Sequence, residues 1–431
     1  MFHDNEKRGN YGGTSVPFPT DGIIEGRDTN MLMEQSGPKN GERKKRSQID
    51  LVTVAGTRPE IIKLAELVPL LNRRYNHALL YTGQHFSENM KDIFFDELHM
   101  APDYELRSNT SDIGSLKDNL VKCLGELKPR FVIVYGDTNS SMAAALAAEQ
   151  IGSNLIHIEA GVRDFDLAVP EESIRIYIDS KADYLFSPSQ FCSTVLTYEE
   201  VRGQVYTTGN LIVDVCKKLF EVAMTKYNYI DGGNGNGGRK RGSIEAENKK
   251  GKENKGIIGE EIARYTIPDI DDEFLLLTIH RPENSDNPAK LKMLKKHLEE
   301  VNYKVIFPIH PRTKQNLSRY NLQLPSNVQT IDAVGYLEFL RLIGKSKLIL
   351  TDSGGLQEEA VVLKKPCVTL RHTSARWETI LLNANILFPL DRTESLGDVV
   401  EKMIHTKVTR NPYGENVAQK VLDSMERSIT L

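Results

Sequence analysis

Short apolar runs recur along the chain, and most of them stop at a polar, glycine-containing turn that opens a stretch of helical spacing. Ile49 to Ala55 leads into Gly56-Thr57-Arg58-Pro59-Glu60, Ala78 to Tyr81 into Thr82-Gly83-Gln84-His85, and Phe131 to Tyr135 into Gly136-Asp137-Thr138-Asn139. Leu155 to Ile158 leads into Glu159-Ala160-Gly161-Val162-Arg163, and Tyr184 to Ser187 closes the first series. Runs of this length, without alternation, suit strands buried on both faces, and the helices between them predict a parallel sheet. A second series follows: Phe274 to Ile279 before His280-Arg281-Pro282-Glu283-Asn284, Lys304 to Pro308 before Ile309-His310-Pro311-Arg312, Leu348 to Leu350, and Cys367 to Leu370. The pattern predicts an α/β fold with two domains, each built on a parallel sheet, the second like a nucleotide-binding domain.

Between and around these series the periodicity lapses. Residues 1–48 are rich in Gly, Asn, Asp, Lys and Arg and carry no sustained apolar period, so they are expected to form a disordered tail. Residues 49–212 make the first domain and 213–256 a connecting helix with a Gly/Asn/Lys-rich insertion. Residues 257–410 make the second domain, and 411–431 close the chain. A chain of 431 residues is long enough for two cores.

The ends of the apolar runs carry the candidate chemistry. In open α/β sheets ligands bind at the carboxyl ends of the strands. Ser353, Gly354 and Gly355 follow Leu348 to Leu350 and precede a helical stretch from Leu356 to Leu363, so they stand where unpaired N–H groups meet a phosphate. Glu358 and Glu359 fall in the first turns, placed to hold ribose hydroxyls, and the next strand ends at Arg371. Arg58 and Lys63 put two cations at the first turn. Asp137 and Glu159 end adjacent strands and are expected to face one cleft, with helix capping the competing role for each. Glu171 and Glu172 open a helix, where acids also favour the macrodipole by roughly 0.3–1 kcal/mol each.

Composition narrows the choice of partner. The net charge of -4 argues against a nucleic-acid protein held by phosphate attraction. No apolar run approaches the ~20 residues that span a bilayer, so a cytoplasmic protein without membrane association is expected. The four cysteines, Cys123, Cys192, Cys216 and Cys367, lack paired spacing and read as buried apolar residues.

Taken together, GTRPEIIK, TGQH, GDTNSS, HIEAGVR, PEE, TGN, HRPEN, PIHP, DSGGLQEEA and NPYGEN, in this order from Leu51 to about Ala418, resemble the non-hydrolysing UDP-N-acetylglucosamine 2-epimerase family. The resemblance implies a GT-B arrangement with the active site between two Rossmann-like domains, a closing helix from about Asn411 that returns to the first domain, and a homodimer. It implies C2 epimerisation of UDP-N-acetylglucosamine to UDP-N-acetylmannosamine by anti elimination of UDP and re-addition to a 2-acetamidoglucal, with neither metal nor redox cofactor. By that resemblance Asp137, Glu159 and Glu171 are the essential acids and Lys63 the catalytic lysine. Arg58, His280, Ser353, Gly354 and Gly355 meet the diphosphate, Glu359 the ribose, and Arg371 lies close by. Gln84, His85 and His310 match an activating second-substrate site of bacterial members.

Two departures bear on the substrate. Ile174 stands where the family usually has Asn, and Ala375-Arg376-Trp377-Glu378 replaces an acidic-Arg-Pro-Glu run. The tryptophan is similar to that of relatives acting on UDP-2,3-diacetamido-glucuronate. A GT-B glycosyltransferase and a non-catalytic UDP-sugar sensor would use the same cradle without needing these acids.

Overall fold

The computed structural model describes residues 33–35, 49–83, 98, 100–106, 108, 110–231 and 273–429. The apolar runs form the inner strands of two sheets. In the first, β1 (Met33–Gln35), β2 (Leu51–Ala55), β3 (His77–Tyr81), β4 (Tyr104–Leu106), β5 (Phe131–Tyr135), β6 (Asn154–Ile158), β7 (Tyr184–Ser187) and β8 (Gln204–Thr207) lie in the order β1-β4-β3-β2-β5-β6-β7-β8. Every pairing is parallel except β1 with β4. In the second sheet β9 (Phe274–Thr278), β10 (Lys304–Pro308), β11 (Val328–Ile331), β12 (Leu348–Thr351), β13 (Cys367–Thr369) and β14 (Asn385–Leu387) lie in the order β11-β10-β9-β12-β13-β14, all parallel. All residues of β2, β3, β5 and β12 are buried, as strands covered on both faces require.

Strand order reverses between β2 and β5 in one sheet and between β9 and β12 in the other, and that reversal opens a crevice at the carboxyl end of each. The two crevices face one another. The helix Ile212–Asp231 packs against Arg58–Leu64 of the first domain and against Tyr336–Lys345 and Gly354–Val362 of the second. One apolar cluster therefore runs through both units, from Leu51 and Ile133 through Cys216 to Leu340 and Ile349. The C-terminal helix Val417–Ser428 lies on Leu67–Arg74, with an Arg74–Glu426 ion pair, and the Ala418 amide donates to Asp214 at 2.8 Å.

Strands β1, β4, β8, β11 and β14 have no counterpart in the apolar pattern. They are short, and β8 and β11 lie at sheet edges half exposed, so neither needs a continuous apolar run. Met33–Gln35 also corrects the expectation that 1–48 lacks structure throughout: it pairs antiparallel with β4 through its backbone. Most of the tail, the Gly/Asn/Lys-rich insertion and the helix expected from Ser87 lie outside the described residues. The four cysteines are buried and free, as anticipated, and no helix among the described residues is long and apolar enough to cross a membrane.

Gly161 shows how tightly the turn after β6 is built. Its φ is +81°, and a Cβ there would lie 2.4 Å from the Cys192 carbonyl oxygen. Gly161→Ala is expected to cost roughly 2–4 kcal/mol, from the left-handed backbone plus the steric clash. Gly125→Ala, in the helix Ile113–Leu127 with nothing within 4 Å of the new methyl, is expected to gain about 0.5–1 kcal/mol. Urea unfolding midpoints of the two variants should move in opposite directions.

Candidate active site

The two strand-to-helix turns at the switch points serve different ends. In the first domain the turn after β2 is filled by its own chain. Glu60, buried, accepts hydrogen bonds from the Gly56 and Thr57 amides at 2.9 and 2.7 Å and from the hydroxyls of Thr57, Thr138 and Ser141 at 2.8, 2.8 and 2.9 Å. A carboxylate thus occupies the anion position of that helix N-terminus. In the second domain Ser353 caps the helix Gly354–Val362, and a methyl built on Gly354 or Gly355 would meet nothing within 4 Å. That terminus is open to a ligand.

Asp352, fully buried, ties the cradle to the neighbouring strand end: it accepts from the amides of His280 and Arg281 at 3.1 and 3.0 Å. The His280 ring is left 41% exposed, towards the cleft beside the cradle. On the next turn of the helix Glu359 accepts from the Tyr336 hydroxyl at 2.8 Å. Burial pushes its pKa up to about 7, although Tyr336, Lys63 and Arg58 pull the other way, which sets Arg58 of the first domain within electrostatic reach of the second.

The acids stand opposite. Asp137, at the end of β5, accepts from Arg175 Nε at 2.8 Å; burial alone would raise its pKa, but the guanidinium more than offsets this and holds it below the ordinary carboxylate range. Glu159, at the end of β6, has φ +73° and is buried. It takes Lys63 Nζ at 2.6 Å, Arg376 at 2.8 Å and the Tyr135 hydroxyl. Burial opposes ionisation, yet Lys63 and Arg376 bring its pKa down to about 2. Glu171 receives Arg281 at 2.7 Å. Its neighbour Glu172 is structural: it accepts from the Asp164 and Phe165 amides at 2.8 and 2.9 Å and from Arg175 at 3.0 Å.

A buried pair fixes these three acids relative to one another. His157 on β6 contacts Asp179 through Nδ1 at 2.6 Å and the Gly136 carbonyl through Nε2 at 2.9 Å. Asp179 also accepts from the Gly161 amide at 3.0 Å and from Arg163 at 2.7 Å. The turn bearing Asp137, the turn bearing Glu159 and the helix Pro170–Lys181, which opens with Glu171, are therefore held by one pair.

This arrangement has known counterparts. The family model described as UDP-N-acetylglucosamine 2-epimerase matches residues 70–426. The chain belongs to that family. It is 37% identical over 380 residues, 84% of this chain and 95% of the relative, to a UDP-N-acetylglucosamine 2-epimerase of Methanocaldococcus jannaschii. It is 32% identical over 350 residues, 78% of this chain and 87% of the relative, to a UDP-2,3-diacetamido-2,3-dideoxy-D-glucuronate 2-epimerase of Pseudomonas aeruginosa. A crystal structure of the M. jannaschii UDP-GlcNAc 2-epimerase in complex with UDP-GlcNAc and UDP superposes with a TM-score of 0.72 at 34% identity, covering 88% of this chain and 99% of that one. The expected resemblance and the two-domain α/β architecture hold, and the chain is an epimerase by family.

Within this epimerase the residues singled out from the sequence divide. Asp137, Glu159, Lys63 and Glu171 come from the first domain, and His280, Ser353, Gly354, Gly355 and Glu359 from the second, across the contacts that join them. Glu358 does not join Glu359 at a ribose position. Its side chain turns into the ion cluster, 2.9 Å from Lys63 and paired with Arg376, and accepts from Asn210 at 2.8 Å. Arg371 stands 3.1 Å from Glu283 and lines a cavity of about 260 Å³ together with Glu171 and Arg281. Ile174 is buried in the apolar cluster that includes Ala143, Ala144 and Ile178, so its side chain belongs to the core. His310 caps the helix Pro311–Arg319 and bears electrostatically on His280. Gln84 and His85 lie outside the described residues.

The sequence assigns no role to Arg376, Arg281, Arg175, Asn210 or Tyr135. Arg281 and Asn210 sit within the quoted motifs HRPEN and TGN, a signal that was present but unassigned. Tyr135 ends an apolar run and reads as core until its hydroxyl is seen to donate to Glu159.

The depressed pKa of Glu159 makes stability acid-sensitive. Its folded-state pKa lies below the ordinary 4.5, so its contribution is complete above that value and is lost as pH falls from about 4.5 towards about 2. Urea midpoints measured across pH 6 to 3 should fall more steeply for the wild type than for Glu159→Gln.

Proposed function

We propose that the chain interconverts UDP-N-acetylglucosamine and UDP-N-acetylmannosamine without hydrolysis. The observation that carries this reading is the set of acids Asp137, Glu159 and Glu171 on one domain facing an open helix N-terminus at Ser353-Gly354-Gly355 on the other, with cross-cleft pairs Arg281–Glu171 and Arg376–Glu159. A transferase or a sensor would need the cradle but not the acids.

In this reading the diphosphate sits at the cradle, with His280 and Arg58 meeting the charge that develops as the anomeric C–O bond breaks. One carboxylate removes the C2 proton as UDP departs, which leaves the 2-acetamidoglucal. A second acid returns a proton to the opposite face of C2, and UDP re-adds at C1. Asp137 and Glu171 are assigned to proton transfer because each is partly open to the cleft, with side-chain exposures of 25% and 29%. Glu159 is sequestered by Lys63, Arg376 and Tyr135 and is assigned to orienting the sugar. Lys63 holds Glu159 ionised in a dry site and pairs with Glu358, whose pKa burial still raises. Closure of the two domains excludes water and retains the glucal. Ribose binding falls to Glu359, and the family's homodimer is carried over as part of the proposal.

The reaction is tested by proton NMR of UDP-N-acetylglucosamine with the protein in heavy water. UDP-N-acetylmannosamine carrying deuterium at C2 is the expected product. Free N-acetylmannosamine would show hydrolysis instead, and an unchanged spectrum would overturn the substrate; UDP-2,3-diacetamido-glucuronate is then the sugar to test, given Trp377 and the P. aeruginosa relative. Asp137→Asn and Glu171→Gln should each lower kcat by about 10²-fold or more.

The ribose assignment has its own test. Ionised Glu359 is the better acceptor for hydroxyls, so UDP affinity by calorimetry should rise as pH increases through about 7 and be nearly flat in Glu359→Gln.

A further inference from the structure

Two of the three acids receive an arginine from the opposite domain, but they depend on it differently. Glu159 touches Arg376 at 2.8 Å across the cleft and Lys63 at 2.6 Å within its own domain. Glu358 likewise has Arg376 within its own domain and Lys63 across the cleft at 2.9 Å. If the cleft opens, this cluster separates into two neutral pairs, Lys63–Glu159 and Glu358–Arg376, and no charge is left bare. Glu171 is arranged otherwise. It lies in the first turn of the helix Pro170–Lys181, 29% exposed, and its ion pair is with Arg281 of the second domain at 2.7 Å. Arg281 is itself set by the backbone bond from its amide to Asp352, the residue below the phosphate cradle.

We propose that Arg281 is the positioning residue for Glu171, and that it places this acid for proton transfer only when the two domains close. This rests on the epimerase reading above. The chain of contacts is short: cradle, Asp352, Arg281, Glu171. A nucleotide seated on Ser353-Gly354-Gly355 would therefore stand beside the group that aims the acid. Arg376 has no equivalent part, because Lys63 keeps Glu159 in place in either state.

Arg281→Gln and Arg281→Lys test this, after thermal unfolding confirms that both fold. Because the Arg281 side chain is committed to Glu171, UDP affinity should stay within about fivefold of wild type in both. In Arg281→Gln, kcat should fall about 10²-fold with little change in KM, as loss of alignment predicts, and Arg281→Lys should recover part of it. A raised KM with kcat unchanged, or wild-type kcat in Arg281→Gln, would overturn the proposal. Crystal structures of the wild type and Arg281→Gln with UDP judge placement without turnover. The Glu171 carboxylate should meet Arg281 in the first and turn away in the second; an unmoved carboxylate would refute the role. Failure of the wild type to exchange C2 in heavy water would instead sink the epimerase reading, and the two crystal structures would still decide whether Arg281 places Glu171.

Discussion

Four charges buried between the domains hold the rest of the site in relation. Lys63 and Glu159 come from the first domain, Glu358 and Arg376 from the second, and all four side chains are less than one-tenth exposed. Taking each from water is costly, and only close, correctly signed neighbours return that energy. In the closed cleft the cluster therefore sets one register of the two domains, and that register puts the acids opposite the cradle. The helix Ile212–Asp231, packed on the helices that carry Lys63 and Glu358, supplies non-directional adhesion through its apolar contacts. Adhesion comes from the apolar seam and register from the ions.

The same residue type performs contrasting tasks according to how fully its oxygens are engaged. Glu60, Glu172, Asp179 and Asp352 are buried and accept from backbone amides at strand ends, so they fix turns. Asp137 and Glu171 each meet a guanidinium and keep part of the carboxyl facing the cleft. A carboxylate whose lone pairs are taken by the chain has no capacity left for a sugar proton. Glu60 is the clearest case: it accepts from two backbone amides and three hydroxyls around its turn.

Much of the architecture was legible in the sequence because burial on both faces demands continuous apolar runs, and each run ended where a helix began. The ordered motifs pointed to the family, and the open cradle at Ser353 followed from a strand, two glycines and a helical period. Edge strands such as β8 and β11 left no such trace, since half-exposed backbone pairing asks little of the side chains.

What the sequence by itself determined was local: which segments are strands, which turns carry acids, and which helix terminus carries glycines. Tertiary structure decided the partners. Nothing near Arg376 in the chain indicates that it meets Glu159, 217 residues away, or that Arg281 meets Glu171 across 110. Glu358 and Glu359 are neighbours in sequence, yet one enters the ion cluster and the other faces Tyr336. Adjacent residues on a helix point about 100° apart, and only the elements packed around each face settle which carboxylate is bonded to a lysine and which to a tyrosine hydroxyl.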